Sequence, residues 1–157
     1  MSVSQEPETT GSEQDSPCYS IEQVATRIGM TKRTLRYYEE MGLLPPTDRT
    51  EGNYRRYSEA DVQRLIRVKE LRSLLGFSLS EIRELLSADE ERDQLKAAYH
   101  AESDPPTRIA QLDRVDELIG KQLELVEQKI AGLEQMRASL QAKLARHAQV
   151  KQQLHQN

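Results

Sequence analysis

Two short segments of the chain combine arginines with tyrosines in a way that suits contact with a planar, anionic partner. The first segment holds Arg33, Arg36 and the adjacent pair Tyr37 and Tyr38, and the second is residues 54–57, with the sequence YRRY. Guanidinium groups bind phosphates and guanine edges, and tyrosine offers a flat ring and a hydroxyl. Nucleic acid has planar bases and an anionic backbone, so these residues predict a nucleic-acid contact.

No catalytic or metal-binding arrangement accompanies these residues in the sequence. The single cysteine, Cys18, excludes a disulfide framework and a thiolate cluster within one chain. The histidines, His100, His147 and His155, have none of the spacings that link metal ligands. Because no nucleophile is paired with a base either, we expect a protein that is not an enzyme and that uses neither a metal nor a cofactor.

Charge is distributed unevenly along the chain. The net charge of −4 by itself argues against a nucleic-acid-binding protein. However, residues 19–76 carry 11 Lys and Arg against 8 Asp and Glu, whereas residues 1–18 carry four acids and neither Lys nor Arg. The local distribution of charge decides where nucleic acid binds, so the basic excess over residues 19–76 supports the predicted contact.

The chain lacks the apolar segments that a membrane-spanning or secreted protein requires. It contains no run of roughly 18 apolar residues and no apolar stretch after Met1. Residues 1–17 are polar and acidic without apolar periodicity, which is typical of a disordered tail. We therefore expect a soluble protein of the cytoplasm with no membrane partner.

Two short helices separated by a tight turn are predicted to position the first basic segment. Ser20 begins a capping-box pattern that predicts a helix over residues 20–28, and Gly29 is typical of the residue that ends such a helix. Thr31 is a typical N-cap for a second helix, which we expect to end near Met41. This arrangement is a helix-turn-helix, whose second helix characteristically enters the major groove of DNA.

The second basic segment is predicted to lie on a small loop or ribbon, a wing, beside the second helix. Pro45 and Pro46 cannot continue that helix, residues 47–53 are rich in turn formers, and residues 54–57 have strand propensity. Two amphipathic helices follow, before and after Gly76, and are expected to supply most of the core. Their apolar residues are Val62, Leu65, Ile66, Val68, Leu71, Leu74 and Leu75, then Leu79, Ile82, Leu85 and Leu86.

The C-terminal third of the chain repeats apolar residues at alternating spacings of three and four. Counted from Ile109 to Leu154, ten of the fourteen positions at this spacing are apolar, a heptad pattern that predicts a coiled coil about 60–70 Å long. Because no second long helix is predicted to cover this stripe, we expect it to pair with another copy of the chain. The predicted dimerisation residues, here called the seam, are Ile109, Leu112, Ile119, Leu123, Val126, Ile130, Leu133, Leu140 and Leu144.

Five motifs in this order resemble those of the MerR family of bacterial transcription regulators. They are Tyr19-Ser20-Ile21, Thr34-Leu35-Arg36-Tyr37-Tyr38-Glu39, Gly42-Leu43-Leu44-Pro45, Asn53-Tyr54-Arg55-Arg56-Tyr57, and Gly76-Phe77-Ser78-Leu79 with Glu81-Ile82. The resemblance covers residues 19–86. It implies a mainly α fold, in which a winged helix-turn-helix DNA-binding domain precedes a long coiled-coil dimerisation helix that pairs antiparallel.

The resemblance also implies how the chain is divided into domains. Residues 1–17 would be the tail, residues 18–88 the winged helix-turn-helix domain, and residues 107–157 the dimerisation helix. Residues 89–106 would connect them; their sequence predicts one ragged helix around residues 90–100, and it favours a connector over a small effector pocket.

The function implied by the resemblance is sequence-specific regulation of transcription by a homodimer. Such a dimer binds two half-sites in promoter DNA and distorts the double strand, so RNA polymerase is an indirect partner. By residue match, the implied DNA contacts are Thr31, Arg33, Arg36, Tyr37, Tyr38, Arg55, Arg56, Tyr57 and Arg72. Of the two adjacent tyrosines, Tyr38 is the one expected to pack inward beside Leu35, and Tyr37 is favoured as the contact.

The chain departs from the better-known sensors of this family. Metal-sensing members have cysteines at both ends of the dimerisation helix, and drug-sensing members have a large C-terminal ligand domain; neither feature is expected here. We therefore expect a small member without a C-terminal effector domain. Asp116 and Arg137 interrupt the apolar stripe and, in an antiparallel pair, could face each other and set the register. The residues leave open one alternative function, a non-enzymatic coiled-coil adaptor whose N-terminal domain binds protein.

Overall fold

A computed structural model describes residues 18–45, 51–52 and 54–156. The predicted tail over residues 1–17 and most of the predicted loop over residues 47–53 lie outside the described residues. The elements, in chain order, are β1 (Tyr19–Ser20), α1 (Ile21–Ile28), α2 (Lys32–Glu40), β2 (Arg56–Tyr57), α3 (Glu59–Ser73), α4 (Leu79–Ala101) and α5 (Pro105–Gln156). This mainly helical fold, with an N-terminal helix-turn-helix and a long C-terminal helix, confirms the predicted fold class.

The chain divides into two compact units, with the boundary between Lys69 and Glu70. The first unit contains β1, α1, α2, β2 and most of α3. The second contains the end of α3 with α4 and α5. Across the described ranges, every helix is too short or too polar to span a bilayer.

The start of the first unit confirms the predicted capping box. Ser20 Oγ accepts a hydrogen bond from the Gln23 backbone N–H at 3.2 Å, and the Gln23 carboxamide accepts one from the Ser20 backbone N–H at 2.8 Å. These two bonds satisfy backbone donors that the first helical turn leaves without partners. They fix the point at which β1 ends and α1 begins.

A small antiparallel sheet attaches the wing to the segment that precedes α1. In β1 and β2, Tyr19 lies opposite Tyr57 and Ser20 lies opposite Arg56. The core of the first unit forms beneath this sheet and the three helices, from apolar side chains at helical spacing. Its buried residues are Val24, Ala25, Ile28, Leu35, Tyr38, Leu43, Leu44, Tyr57, Val62, Leu65 and Val68.

An ion pair joins α1 to the start of α3 at the edge of this core. Both terminal nitrogens of Arg27 bind the Glu59 carboxylate at 2.7 Å, and the Arg27 guanidinium lies 5.3 Å from the centre of the Tyr19 ring. The bond to Arg27, with a smaller contribution from Gln63, lowers the pKa of Glu59 to about 2. The ionised form of Glu59 is therefore the one that the folded unit favours.

In the second unit, α4 is longer than predicted. It begins at the Ser78 cap and runs without a break to Ala101, so the separate ragged helix predicted around residues 90–100 is wrong. These residues were predicted to be a connector because their sequence is acidic and weakly periodic. They remain helical because their polar side chains pair with α5, as in the 2.7 Å ion pair between Glu91 and Arg114.

Polar side chains also join the middle of α4 to α5. The Gln122 carboxamide donates to the Leu85 carbonyl at 3.0 Å and to Asp89 Oδ1 at 2.8 Å, and it accepts from Arg92 at 2.9 Å. Next to this cluster, Leu118 of α5 is buried, with 4% of its surface exposed. The expectation that α5 has no long helical neighbour in its own chain is therefore wrong, because the 23-residue α4 covers one face of its N-terminal half.

The turn between α3 and α4 differs from its prediction in one respect. Leu74 and Leu75 were expected on the buried face of α3, but α3 ends at Ser73 and the two side chains are 79% and 51% exposed. Lys129 of α5 holds the following residues: its Nζ donates to the Gly76 carbonyl at 2.9 Å and lies 5.2 Å from the centre of the Phe77 ring. The middle of α5 is thus attached to this turn.

Candidate nucleic-acid interface

The turn between α1 and α2 sets the start of α2. Gly29 ends α1 with a φ of 66°, a left-handed conformation that side chains other than glycine rarely adopt. Lys69 Nζ donates to the Ile28 carbonyl at 2.6 Å and would lie 3.3 Å from a Cβ added to Gly29. Thr31 then caps α2 by accepting a hydrogen bond from the Thr34 backbone N–H at 3.1 Å. The predicted glycine turn and the predicted Thr31 cap are confirmed.

α2 separates an apolar face from a basic aromatic face. Leu35 and Tyr38, three residues apart, are buried. On the opposite side Arg33 and Arg36 are exposed, and Tyr37 is 46% exposed. The prediction that Tyr38 packs inward while Tyr37 faces outward is therefore confirmed.

The exposed side chains of α2 form one continuous surface. They line a shallow depression whose residues are Arg33, Thr34, Arg36, Tyr37 and Glu40. This surface, which we call the α2 face, presents two guanidinium groups and a tyrosine hydroxyl over fewer than three helical turns. Such groups can hydrogen-bond to phosphate oxygens and to guanine in the major groove.

Burial corrects two of the implied DNA contacts. Tyr38 is 7% exposed and Tyr57 is completely buried, so neither side chain lies on a surface that DNA can reach. The Tyr57 ring fills the core beneath the small sheet, and its hydroxyl donates a hydrogen bond to Glu39 Oε1 on α2. Both tyrosines support the interface from within the first unit.

The environment of Tyr57 keeps its hydroxyl protonated. Burial raises the pKa of Tyr57 well above its usual value of 10.0, and the hydrogen bond to Glu39 raises it further. The nearby charges of Arg55 and Arg36 act in the opposite direction but are smaller. A neutral hydroxyl at this position remains a hydrogen-bond donor to Glu39 at any physiological pH.

The wing presents one exposed arginine and one that is held by an ion pair. Arg56 is exposed, whereas Arg55 is partly covered and its Nε lies 2.6 Å from Glu39 Oε2. The Arg55 side chain is 30% exposed and that of Glu39 is 14% exposed. Asn53, the residue before the YRRY segment, lies outside the described residues.

The remaining implied contacts, Thr31 and Arg72, are exposed but already have local roles. The Thr31 hydroxyl caps α2 and lies 2.8 Å from the Thr34 hydroxyl. Arg72 belongs to the second unit, where its Nη1 donates to the Phe77 carbonyl at 3.2 Å. The first unit thus brings together Thr31, the exposed residues of the α2 face, Arg55 and Arg56.

Glu39 is a residue of this site that the sequence analysis did not single out. It lies in the last turn of α2, where the helix dipole disfavours a negative charge. An acid at that position, on an otherwise basic helix, indicates a compensating cation or hydrogen-bond donor nearby. Tyr57 and Arg55 supply both, although they follow Glu39 by 18 and 16 residues in the chain.

A second exposed surface runs along α5. The nine seam residues are between 38% exposed, at Val126, and 69% exposed, at Leu144. Leu112 and Ile119 line a groove together with Leu95 and Tyr99 of α4, yet they remain 47% and 44% exposed. A single chain therefore leaves a long apolar stripe open to water.

No metal site accompanies these surfaces in the part of the chain that the structure describes. Within residues 18–45, 51–52 and 54–156, no group of three His, Cys, Asp or Glu side chains could hold a metal ion. Cys18 is a free, exposed thiol beside β1.

Comparison with known proteins assigns the chain to a family. The model of the MerR helix-turn-helix family of regulatory proteins matches residues 19–89. The transcriptional regulator YfmP of Bacillus subtilis is 39% identical over 121 residues, which cover 77% of this chain and 86% of YfmP. This chain belongs to the MerR family. It is, with that family, a DNA-binding transcription regulator of the helix-turn-helix type.

Two further MerR-family proteins extend the comparison. The transcriptional regulator ZntR of Escherichia coli strain K12 is 37% identical over 123 residues, covering 78% of this chain and 76% of ZntR. A crystal structure of a MerR-family regulator from Listeria monocytogenes aligns with a TM-score of 0.52 and 23% identity, over 80% of this chain and 83% of that one. The similarity to the Listeria structure supports the fold alone.

Proposed function

We propose that this MerR-family chain binds promoter DNA as a homodimer, with one α2 face and one wing per half-site, and that it distorts the DNA between them. RNA polymerase is then an indirect partner, affected through the shape of the promoter. The observation that carries the proposal is the grouping of Arg33, Arg36 and Tyr37 on one exposed face, in the same compact unit as Arg55 and Arg56 of the wing.

Each group in this set has a defined use against a DNA duplex. Arg33 and Arg36 can read guanine edges or bind phosphates, because a helix of this size enters the major groove. Tyr37 can donate to a phosphate oxygen, and Arg56 can bind the backbone beside the groove. Phosphate contacts fix the register of the protein, and contacts with base edges supply specificity.

The seam supports the homodimer. Nine apolar side chains that repeat at heptad spacing, each at least 38% exposed, form a surface that a stable helix in water covers with a partner. In the described residues, packing with α4 leaves every seam residue at least 38% exposed, so the seam remains available to a second copy. Pairing of two seams would bring two copies of the DNA-binding unit into one assembly.

The alternative function, a protein-binding coiled-coil adaptor, is not favoured. YfmP and ZntR are both transcriptional regulators by name, and the α2 face has the cationic and aromatic groups that suit DNA. An adaptor would not need two exposed arginines one helical turn apart.

The experiment that tests the proposal is DNA binding by the full chain as a function of salt. The probe is a duplex selected by the wild-type protein from a random-sequence library, with a scrambled duplex for comparison. If about six of the arginines in a dimer contact phosphates, the logarithm of the association constant should fall with a slope of about −5 against the logarithm of salt concentration. Two chains should bind each duplex. Absent or salt-insensitive binding would point to the adaptor.

A further inference from the structure

We infer that Glu39 is a positioning residue for DNA recognition, which holds Arg55 of the wing in a fixed orientation against α2. The inference rests on the proposed function, because it assigns Glu39 a part in DNA binding although its charge repels phosphate. Three observations carry it: the two contacts of the Glu39 carboxylate, its burial, and its place between the α2 face and the wing.

The two oxygens of the Glu39 carboxylate bind two different residues of the wing. Oε1 accepts the hydrogen bond from the Tyr57 hydroxyl. Oε2 lies 2.6 Å from Arg55 Nε, a contact that is an ion pair by distance without the geometry of a hydrogen bond. Tyr57 is anchored in the core and paired with Tyr19 across the sheet. Glu39 therefore has one fixed partner and one partner whose long side chain would otherwise be free to rotate.

Burial makes the Glu39 carboxylate more dependent on its two contacts than an exposed acid would be. The Glu39 side chain is 14% exposed and that of Arg55 is 30% exposed. An exposed pair is weakened by water and salt, whereas a carboxylate largely withdrawn from water depends on its donors. Glu39 contacts Arg55 at Nε, so this contact itself does not occupy the terminal nitrogens, which are the groups that would bind a phosphate.

Removal of Glu39 is expected to change non-specific and specific DNA binding in opposite directions. Glu39 adds a negative charge to a DNA-binding surface, so its removal should favour non-specific binding to any duplex. Its removal should at the same time weaken specific binding, because Arg55 must then be ordered when the complex forms. A residue that only stabilised the fold would change both kinds of binding together.

The test compares Glu39→Gln with Glu40→Gln in the full-length protein. Glutamine at position 39 keeps an acceptor for Tyr57 but removes the charge that holds Arg55. Glu40 is the matched control because it is the next residue of α2, carries the same charge, and is exposed on the α2 face. Affinity is measured for the duplex selected by the wild-type protein and for its scrambled form.

We expect Glu39→Gln to lower the ratio of specific to non-specific affinity by about tenfold, with the thermal midpoint close to wild type. Glu40→Gln should raise both affinities and leave the ratio within about twofold. In an Arg55→Ala background, Glu39→Gln should cause no further loss of the ratio, since Glu39 acts through Arg55.

Provided that the wild-type protein discriminates between the two duplexes, two results overturn the inference. One is an unchanged ratio of specific to non-specific affinity in Glu39→Gln. The other is that Glu39→Gln lowers this ratio by the same factor in the Arg55→Ala background as in the wild-type protein. If Glu39→Gln does not fold, Arg55→Lys replaces it, because lysine keeps the charge but lacks the Nε edge that Glu39 holds. A wild-type ratio in Arg55→Lys then overturns the inference. Failure of the wild-type protein to prefer the selected duplex instead overturns the proposed function.

Discussion

Replacement of Ile130 by alanine tests whether the seam joins two copies of the chain. Ile130 lies near the middle of α5, so it is central to the pairing whichever way the two helices run. In a single chain its side chain is 49% exposed. The exchange therefore changes little within one chain and removes an apolar contact only where a partner covers the residue.

The size of the effect follows from that exposure. Truncating a fully buried isoleucine to alanine costs about 2–5 kcal/mol. About half of that cost belongs to the surface that the partner covers, and a symmetric dimer contains the site twice. We therefore expect the free energy of association to weaken by about 2–5 kcal/mol, which raises the dissociation constant roughly 30- to 4000-fold.

Sedimentation equilibrium over a range of protein concentrations measures this change. The matched control is Gln135→Ala, which truncates an exposed side chain on the outer face of the same helix and should leave the dissociation constant within about twofold. A wild-type dissociation constant in Ile130→Ala, or a monomeric wild-type protein, would refute the role of the seam.

Three further predictions concern stability and register. Because Arg27 lowers the pKa of Glu59 from 4.5 to about 2, the stabilisation by ionised Glu59 is complete above about pH 4.5 and is lost as the pH falls towards 2. Urea titrations should show a flatter acid limb for Glu59→Gln, and an unchanged limb would exclude this linkage. Tyr57→Phe removes the donor to Glu39 and should cost about 1–2 kcal/mol in thermal unfolding, whereas Tyr37→Phe, at a residue that is 46% exposed, should change stability little; equal effects would count against the buried bond. Asp116→Leu should strengthen the dimer and loosen its antiparallel register in cross-linking, and a dimer of unchanged stability and geometry would rule out pairing with Arg137.

The features that sequence predicted well are those that depend on neighbouring residues. Ser20, Thr31 and Ser78 each cap a helix where their patterns place them, because a cap is satisfied within four residues of itself. The inward Tyr38 and outward Tyr37 likewise follow from helical periodicity. Such local rules determined the helix-turn-helix and its exposed face.

The features that sequence missed depend on residues far apart in the chain. The second half of α4 is held by pairs such as Glu91 with Arg114, and Gln122 joins Asp89 and Arg92 across 33 and 30 residues. Its own composition is acidic and weakly periodic, so it carries no strong helical pattern.

The positions of Tyr57 and Glu39 were missed for the same reason. A tyrosine in a YRRY motif reads as an exposed contact, and only the pairing of β2 with β1 places its ring in the core. The role of Glu39 then depends on that burial. The pairing of β2 with β1 therefore makes Tyr57 a buried support for Glu39 and, through Glu39, for Arg55, although the resemblance implied that Tyr57 contacts DNA.

The affinity of Arg36→Ala for the duplex selected by the wild-type protein tests DNA recognition through the α2 face most directly. Arg36 is exposed at the centre of that face, so its loss should not unfold the protein or dissociate a dimer. We expect affinity to fall by about 5- to 100-fold, with Arg146→Ala, an exposed arginine of α5, remaining near wild type. Unchanged affinity in a folded Arg36→Ala protein would show that DNA is not read by this face.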